Sequence, residues 1–177
     1  SGISQAISDT ACDAVFKAIA VARQAGTSVS YDTNLRLRLW PLDRARAVIH
    51  AAVALSDICL PGLDDARQLT GIERGEDVCA YYLGLGCKVV ALTMGKDGTM
   101  VAVPGETRMI PAKVVKAIDA TGAGDTFDGA FLAEWLRNGG DAFAAAAYAN
   151  AAAALSTQGY GAVAPIPTRQ QVAAFMA

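Results

Sequence analysis

Hydrophobic and polar positions along the chain alternate between two periods. Val15, Ile19 and Ala22 recur at helical spacing after Asp9, which can cap a helix running to about residue 25 before the stop at Gly26. Residues 27–31 form a short β-prone run that ends in the polar cluster Asp32-Thr33-Asn34, as a strand delivering side chains at its C-terminal end would. A helix over 42–55, a buried strand over 57–60, and a helix opened by Pro61-Gly62 and ended by Gly71 come next. A further helix over 75–83 leads into the continuous apolar run 88–93, the pattern of a strand covered on both faces. After the turn 94–98, the runs 99–103 and 107–110 can pair as a hairpin across Pro104-Gly105, and 113–118 reads as one more extended piece. Helices are predicted over 127–136, 142–155 and 168–176, with loops at Gly139-Gly140 and 159–167. Strands alternating with helices, then a helical end, predict an α/β fold with a largely parallel sheet, and 177 residues suit a single compact unit, 1–177.

Composition narrows the partners. With 53% hydrophobic residues, many of them alanine, the chain can bury a core and pack helices closely. A net charge of −2 supplies no bulk positive field, so neither a nucleic acid nor an anionic membrane is expected as a partner, and any bound anion must be held locally. The apolar run 143–155 falls short of the ~20 residues of a membrane span. Cys12, Cys59, Cys79 and Cys87 show no C-x-x-C spacing and read as reduced thiols, which suggests the cytoplasm. The single histidine, His50, gives little support to a zinc cluster or a Ser-His-Asp triad and reads as a helix-face residue. The chain starts Ser1-Gly2-Ile3 without a Met, so it was processed or is part of something longer.

Candidate chemistry concentrates in Asp119-Ala120-Thr121-Gly122-Ala123-Gly124-Asp125-Thr126-Phe127. Asp119 and Thr121 could simply cap a helix, with the glycines permitting a tight turn. Small residues at a helix start also leave backbone N–H groups bare, a site for phosphate or a developing oxyanion. Asp125 beside such a cradle repels the anion the cradle attracts, an arrangement that a general base would explain. Gly95-Lys96 is followed by Asp97 rather than the Ser or Thr of a Walker loop, and a dinucleotide fingerprint starting at Gly122 would need a small residue where Phe127 stands. An aspartic-protease turn would be one residue shorter and occur twice.

Asp119 through Asp125 resembles the C-terminal signature of the ribokinase-like (PfkB) carbohydrate kinases, Asp-Thr-x-Gly-Ala-Gly-Asp, with Ala120 in place of the usual Thr. Asp32-Thr33-Asn34-Leu35-Arg36 resembles the family's Asp-x-Asn-x-Arg element, Thr93 through Gly98 its Thr-x-Gly-x-x-Gly nucleotide loop, and Ala149-Asn150 with the alanines after it the helix bordering adenine. The resemblance covers essentially the whole chain and implies a ribokinase-like α/β fold. It also implies Asp125 as catalytic base, Gly122, Ala123 and Gly124 as anion hole, and Asn34 and Arg36 near the triphosphate. Thr93, Gly95 and Gly98 would line the nucleotide, with Asn150 at its base end. The cofactors implied are ATP and Mg²⁺, with a monovalent cation as a further candidate. Thr93 and the glycines could equally be ordinary turn residues, and Asn150 a core polar group bonded to backbone.

Ser1-Gly2-Ile3, Asp32 to Arg36 followed by Trp40, and Leu60-Pro61-Gly62-Leu63-Asp64-Asp65 most resemble the 2-keto-3-deoxygluconate kinases. Arg36 suits the carboxylate of a sugar acid as a bidentate partner, or a salt bridge at a strand end. The family's Asn-x-x-Glu magnesium element would fall on Gly62 and Asp65, where the Asn is absent and the Glu shortened; Asp64 and Asp65 serve as well as first-turn helix charges, and the metal ligands are left unassigned. The resemblance implies the C-terminal portion of a longer enzyme, without its lid and with an incomplete sugar pocket, so that the isolated chain binds nucleotide and lacks turnover. Homo-oligomerisation is expected of the full protein. The expected reaction is phosphoryl transfer from ATP to 2-keto-3-deoxygluconate, with fructokinase, ribokinase or a non-catalytic nucleotide-binding module as the alternatives.

Overall fold

The computed structural model describes all residues from Ser1 to Ala177. Its elements run α1 (Gly2–Ala6), α2 (Asp9–Gln24), β1 (Ser30–Asp32), α3 (Leu42–Val53), β2 (Ile58–Leu60), α4 (Leu63–Thr70), α5 (Gly75–Gly84) and β3 (Val89–Thr93). They continue with a 3₁₀ turn (Gly95–Asp97), β4 (Thr99–Val103), β5 (Glu106–Ile110), α6 (Ala123–Arg137), α7 (Ala142–Ser156) and α8 (Arg169–Met176). Five strands form one sheet in the order β1-β2-β3-β4-β5. β1 and β2 pair in parallel with Tyr31 opposite Cys59, and β2 and β3 with Cys59 opposite Val90. The helices between these strands supply the crossover that parallel pairing requires, whereas the turns on either side of β4 are short enough only for hairpins. Parallel strands joined by helices make this the α/β architecture that the alternating pattern predicts. No helix is long and apolar enough to cross a membrane.

Where the sequence suggests one compact unit, contacts within the chain divide it into two: Ser1–Leu92 with Ala102–Thr107, and Thr93–Val101 with Arg108–Ala177. The first unit has its core in Tyr31, Ile49, Ile58, Leu69, Tyr82 and Val90, each almost wholly buried. All four cysteines lie buried as free thiols. His50 is half-buried, its Nδ1 3.1 Å from the Tyr81 hydroxyl, and burial pushes its pKa down, the bland role expected of it. In the second unit α6 and α7 pack on each other. Alanines 145, 146, 149, 151 and 152 are buried on α7, so that helix lets neighbouring backbones come close, and Phe127 stacks on Phe131 at 5.9 Å. Glu134, on α6, is buried and accepts hydrogen bonds from Arg137 and from Arg169 of α8, which hold its carboxyl below the usual range.

Three expectations need correction, and one helix was not foreseen. Ser8 rather than Asp9 caps α2, its hydroxyl accepting the Ala11 N–H at 3.1 Å. A short helix, α1, precedes it. The stretch 113–118 joins no ladder; Val114 is 97% exposed, so its β-branched residues have no partner strand to pack against. Finally, α6 begins at Ala123, four residues earlier than the apolar pattern indicates.

Candidate active site

Within the second unit lies a cavity of about 550 Å³, a size suited to a small-molecule ligand. Thr93, Gly95 and Gly98 line it, as do Gly124 and Phe127 of α6 and Asn150 of α7. Five of the nucleotide-site residues expected from the sequence (Thr93, Gly95, Gly98, Gly124 and Asn150) therefore meet on one wall set. The turn that carries three of them is closed by the Met94 N–H donating to the Gly98 carbonyl at 2.8 Å. Gly98 sits at φ 108°, and a Cβ there would stand 2.2 Å from the Ile110 oxygen and 2.6 Å from the Ala112 nitrogen. Backbone presses on backbone at this point, and only glycine permits it.

The Asp119–Asp125 turn is organised from its first residue. Asp119 Oδ1 accepts the Thr121 N–H at 2.9 Å and the Thr121 hydroxyl at 2.6 Å, and Oδ2 accepts the Gly161 N–H at 2.8 Å. These donors lower its pKa to about 2. Gly122 then takes the left-handed conformation, φ 74°, at the N-cap of α6, where a Cβ would come within 2.8 Å of the Ala162 Cβ. The Thr126 N–H donates to the Gly122 carbonyl at 2.9 Å, and the Ala123 N–H to the Ala120 carbonyl at 3.1 Å. Ala123, expected in the anion hole, thus has its amide engaged by its own turn. Gly122, Gly124 and Asp125 have no such backbone acceptor, in keeping with the orphan donors of a helix start. The Asp125 carboxylate is exposed in the first turn of α6.

Asn150 takes the structural role that its sequence left open. Its Oδ1 accepts the Thr99 hydroxyl at 2.7 Å, and its Nδ2 donates to the Ile110 and Pro111 carbonyls at 3.0 and 3.4 Å. It borders the cavity while tying α7 to the ends of β4 and β5.

Asn34 and Arg36 belong to the first unit. Asn34 is the one non-glycine residue at positive φ, 30°; its N–H donates to Asp32 Oδ1 at 3.0 Å, and its own Oδ1 is buried without a partner. The Leu35 N–H donates to Asp65 Oδ2 at 2.8 Å. Burial raises the Asp65 pKa against that bond and the Arg36 charge. Arg36 is exposed, with one Nη donating to the Leu35 carbonyl at 2.7 Å. No group of three or more His, Cys, Asp or Glu side chains stands together as a metal site. Sequence reasoning missed Asp65 as the acceptor for the Asp32–Arg36 turn, Thr99 as the partner of Asn150, and the Asp119 bond to Gly161. All three are contacts between segments far apart in the chain, which no local spacing announces.

Strand order, helices and cavity together define the ribokinase-like class of α/β proteins. Over 98% of its length the chain matches 59% of a Vibrio cholerae O395 fructokinase crystallised with fructose, ADP and calcium ion, at a TM-score of 0.90 and 30% identity. The chain belongs to the pfkB family of carbohydrate kinases, whose profile matches residues 1–169. It is 32% identical to the 2-dehydro-3-deoxygluconokinase of Bacillus subtilis (strain 168) over 99% of this chain and 55% of that protein. To the ribokinase of Staphylococcus aureus (strain COL) it is 36% identical over 72% of this chain and 44% of that protein. The chain spans about half the length of the curated relatives it matches.

Proposed function

We propose that the intact protein phosphorylates a sugar acid with ATP, the acceptor being 2-keto-3-deoxygluconate and the product its 6-phosphate. The observation that carries this reading is the start of α6: an exposed carboxylate, Asp125, in the same turn as backbone amides that have no acceptor in the chain. Asp125 takes the proton of the attacking hydroxyl as general base, while the N–H groups of Gly122 and Gly124 stabilise negative charge on the group in transfer. Thr93, Gly95 and Gly98 hold the nucleotide against the cavity wall, and Asn34 and Arg36 are assigned to nucleotide and substrate by their resemblance to the family's Asp-x-Asn-x-Arg element. ATP with Mg²⁺ would supply the phosphoryl group and neutralise its charge. Arg36 supports the acid substrate, since the unused part of its guanidinium fork can pair with a carboxylate and a neutral sugar offers none.

The test is turnover of the intact protein on 2-keto-3-deoxygluconate, fructose and ribose, with and without Asp125→Asn. Preference for the acid sugar is expected, together with a loss of about 10² or more in kcat for the variant. A preference for ribose or fructose replaces the substrate, as the resemblance to a ribokinase would have it. Turnover of Asp125→Asn within a few-fold of the parent overturns the mechanism.

A further inference from the structure

Two neighbouring carboxylates open α4, and they are used differently. Asp64 is exposed and stays with its own helix, 3.8 Å from the Arg67 guanidinium, as a first-turn charge does. Asp65 is half-buried and reaches out of the helix: its Oδ2 accepts the Leu35 N–H, thirty residues earlier in the chain, at 2.8 Å. Burying a carboxylate costs free energy that a helix dipole does not demand, since Asp64 serves that dipole from solvent.

What the bond holds is the backbone that carries Arg36. Leu35 is buried, with its N–H fixed by Asp65 and its carbonyl accepting the Arg36 Nη at 2.7 Å. Before it, Asn34 stands at φ 30° with its N–H on Asp32; after it, the Leu39 N–H donates to the Arg36 carbonyl at 2.9 Å, and Trp40 is buried. The guanidinium is therefore folded back on a residue whose place Asp65 sets, and the opposite charges of Asp65 and Arg36 act on each other.

Resting on the acid substrate proposed above, we infer that Asp65 is a positioning residue for sugar-acid recognition: it acts through the Leu35 amide to present Arg36 to the substrate carboxylate, instead of serving a metal as the Asn-x-x-Glu pattern would have it. Bidentate pairing needs the plane of the guanidinium in place, so a turn free to rock loses affinity for the acid while keeping the arginine charge.

Calorimetric titration of the intact protein with 2-keto-3-deoxygluconate, with divalent metal chelated, tests this, because no metal-mediated role can show there. Asp65→Ala is expected to weaken binding by about 10-fold, the scale of an amide left without its acceptor, and Asp65→Asn, which keeps an acceptor oxygen, to stay within about 3-fold of the parent. In an Arg36→Lys background, where the fork is gone, Asp65→Ala is expected to add less than about 3-fold, because its effect runs through Arg36. Binding by Asp65→Ala within about 3-fold of the parent, or an equal loss with Arg36 and with lysine in its place, overturns the inference and leaves the acid-substrate reading standing. A parent that does not bind the sugar acid overturns both. Asp65→Ser, which suits a first helical turn and is one atom shorter than the bond to Leu35 needs, carries the same expectation should the alanine variant not fold.

Discussion

Two turns in this protein begin with the same local device and end differently. After β1, Asp32 accepts the N–H of Asn34; before α6, Asp119 accepts the N–H of Thr121, the same aspartate-to-second-residue bond at 3.0 and 2.9 Å. Past Asp32 the next amide, Leu35, goes to the Asp65 carboxylate, and the turn is closed from outside. Past Asp119 the chain passes through left-handed Gly122 straight into a fifteen-residue helix, and amides at its start keep no acceptor. The aspartate fixes each turn's shape, and the next few residues decide whether donors are left for a ligand. An Asp-x-Asn or Asp-x-Thr pattern alone therefore marks a turn; only the glycine-opened helix behind it marks a place for charge.

This contrast can be broken at either turn. The largest stability effect is expected from Gly122→Ala, which places a side chain at positive φ and against Ala162: a loss of about 1–3 kcal/mol in denaturant unfolding from strain alone. No change in stability would mean the open turn does not need its left-handed residue. Asp65→Ala is expected to cost about 1–2 kcal/mol, because it leaves the Leu35 N–H of the closed turn without its acceptor.

Acid should separate the turns by sign. The folded pKa of Asp119 is depressed, so its contribution is present above the ordinary carboxylate value near ~3.9 and is lost as pH falls toward about 2. That of Asp65 is raised, so its contribution improves as pH falls from above its folded pKa to its unfolded one, and declines as pH rises through the folded value. Stability measured from pH 2 to 6 is expected to lose the first dependence in Asp119→Asn and the second in Asp65→Asn; the same sign for both would undo the contrast. The smallest effect falls on Asn34→Gly. It relieves a positive φ and removes a buried oxygen that has no partner, so unfolding should shift by less than about 0.5 kcal/mol.

Much of this arrangement is written in local pattern. β3 reads as a covered strand because every residue in Val89–Leu92 is apolar, and four of its five residues are buried; α4 stops at Gly71 as its sequence says. Gly95, Gly98, Gly124 and Asn150 are legible as cavity residues through the resemblance of their motifs to those of the carbohydrate kinases, since the residues by themselves read equally well as turn and core positions. The start of α6 is not, since Gly122-Ala123-Gly124 carries no apolar period and its helix is set by the Asp119 bonds. Residues 113–118 mislead in the opposite direction: two valines and an isoleucine give the stretch strand-like composition, yet no sheet edge pairs with them. The saturation of Asn150 lies beyond any sequence reading, because its partners stand 39 to 51 residues away.

That unpaired segment has one more consequence. Lys113 and Lys116 are exposed on a stretch held by no ladder, which makes them ready cleavage points for trypsin, and Lys113 with its neighbours Val114 and Val115 also walls the cavity. Protease and ligand therefore compete for the same few residues. The chain carries its own occupancy gauge: the rate at which it is nicked there reports how full the cavity is.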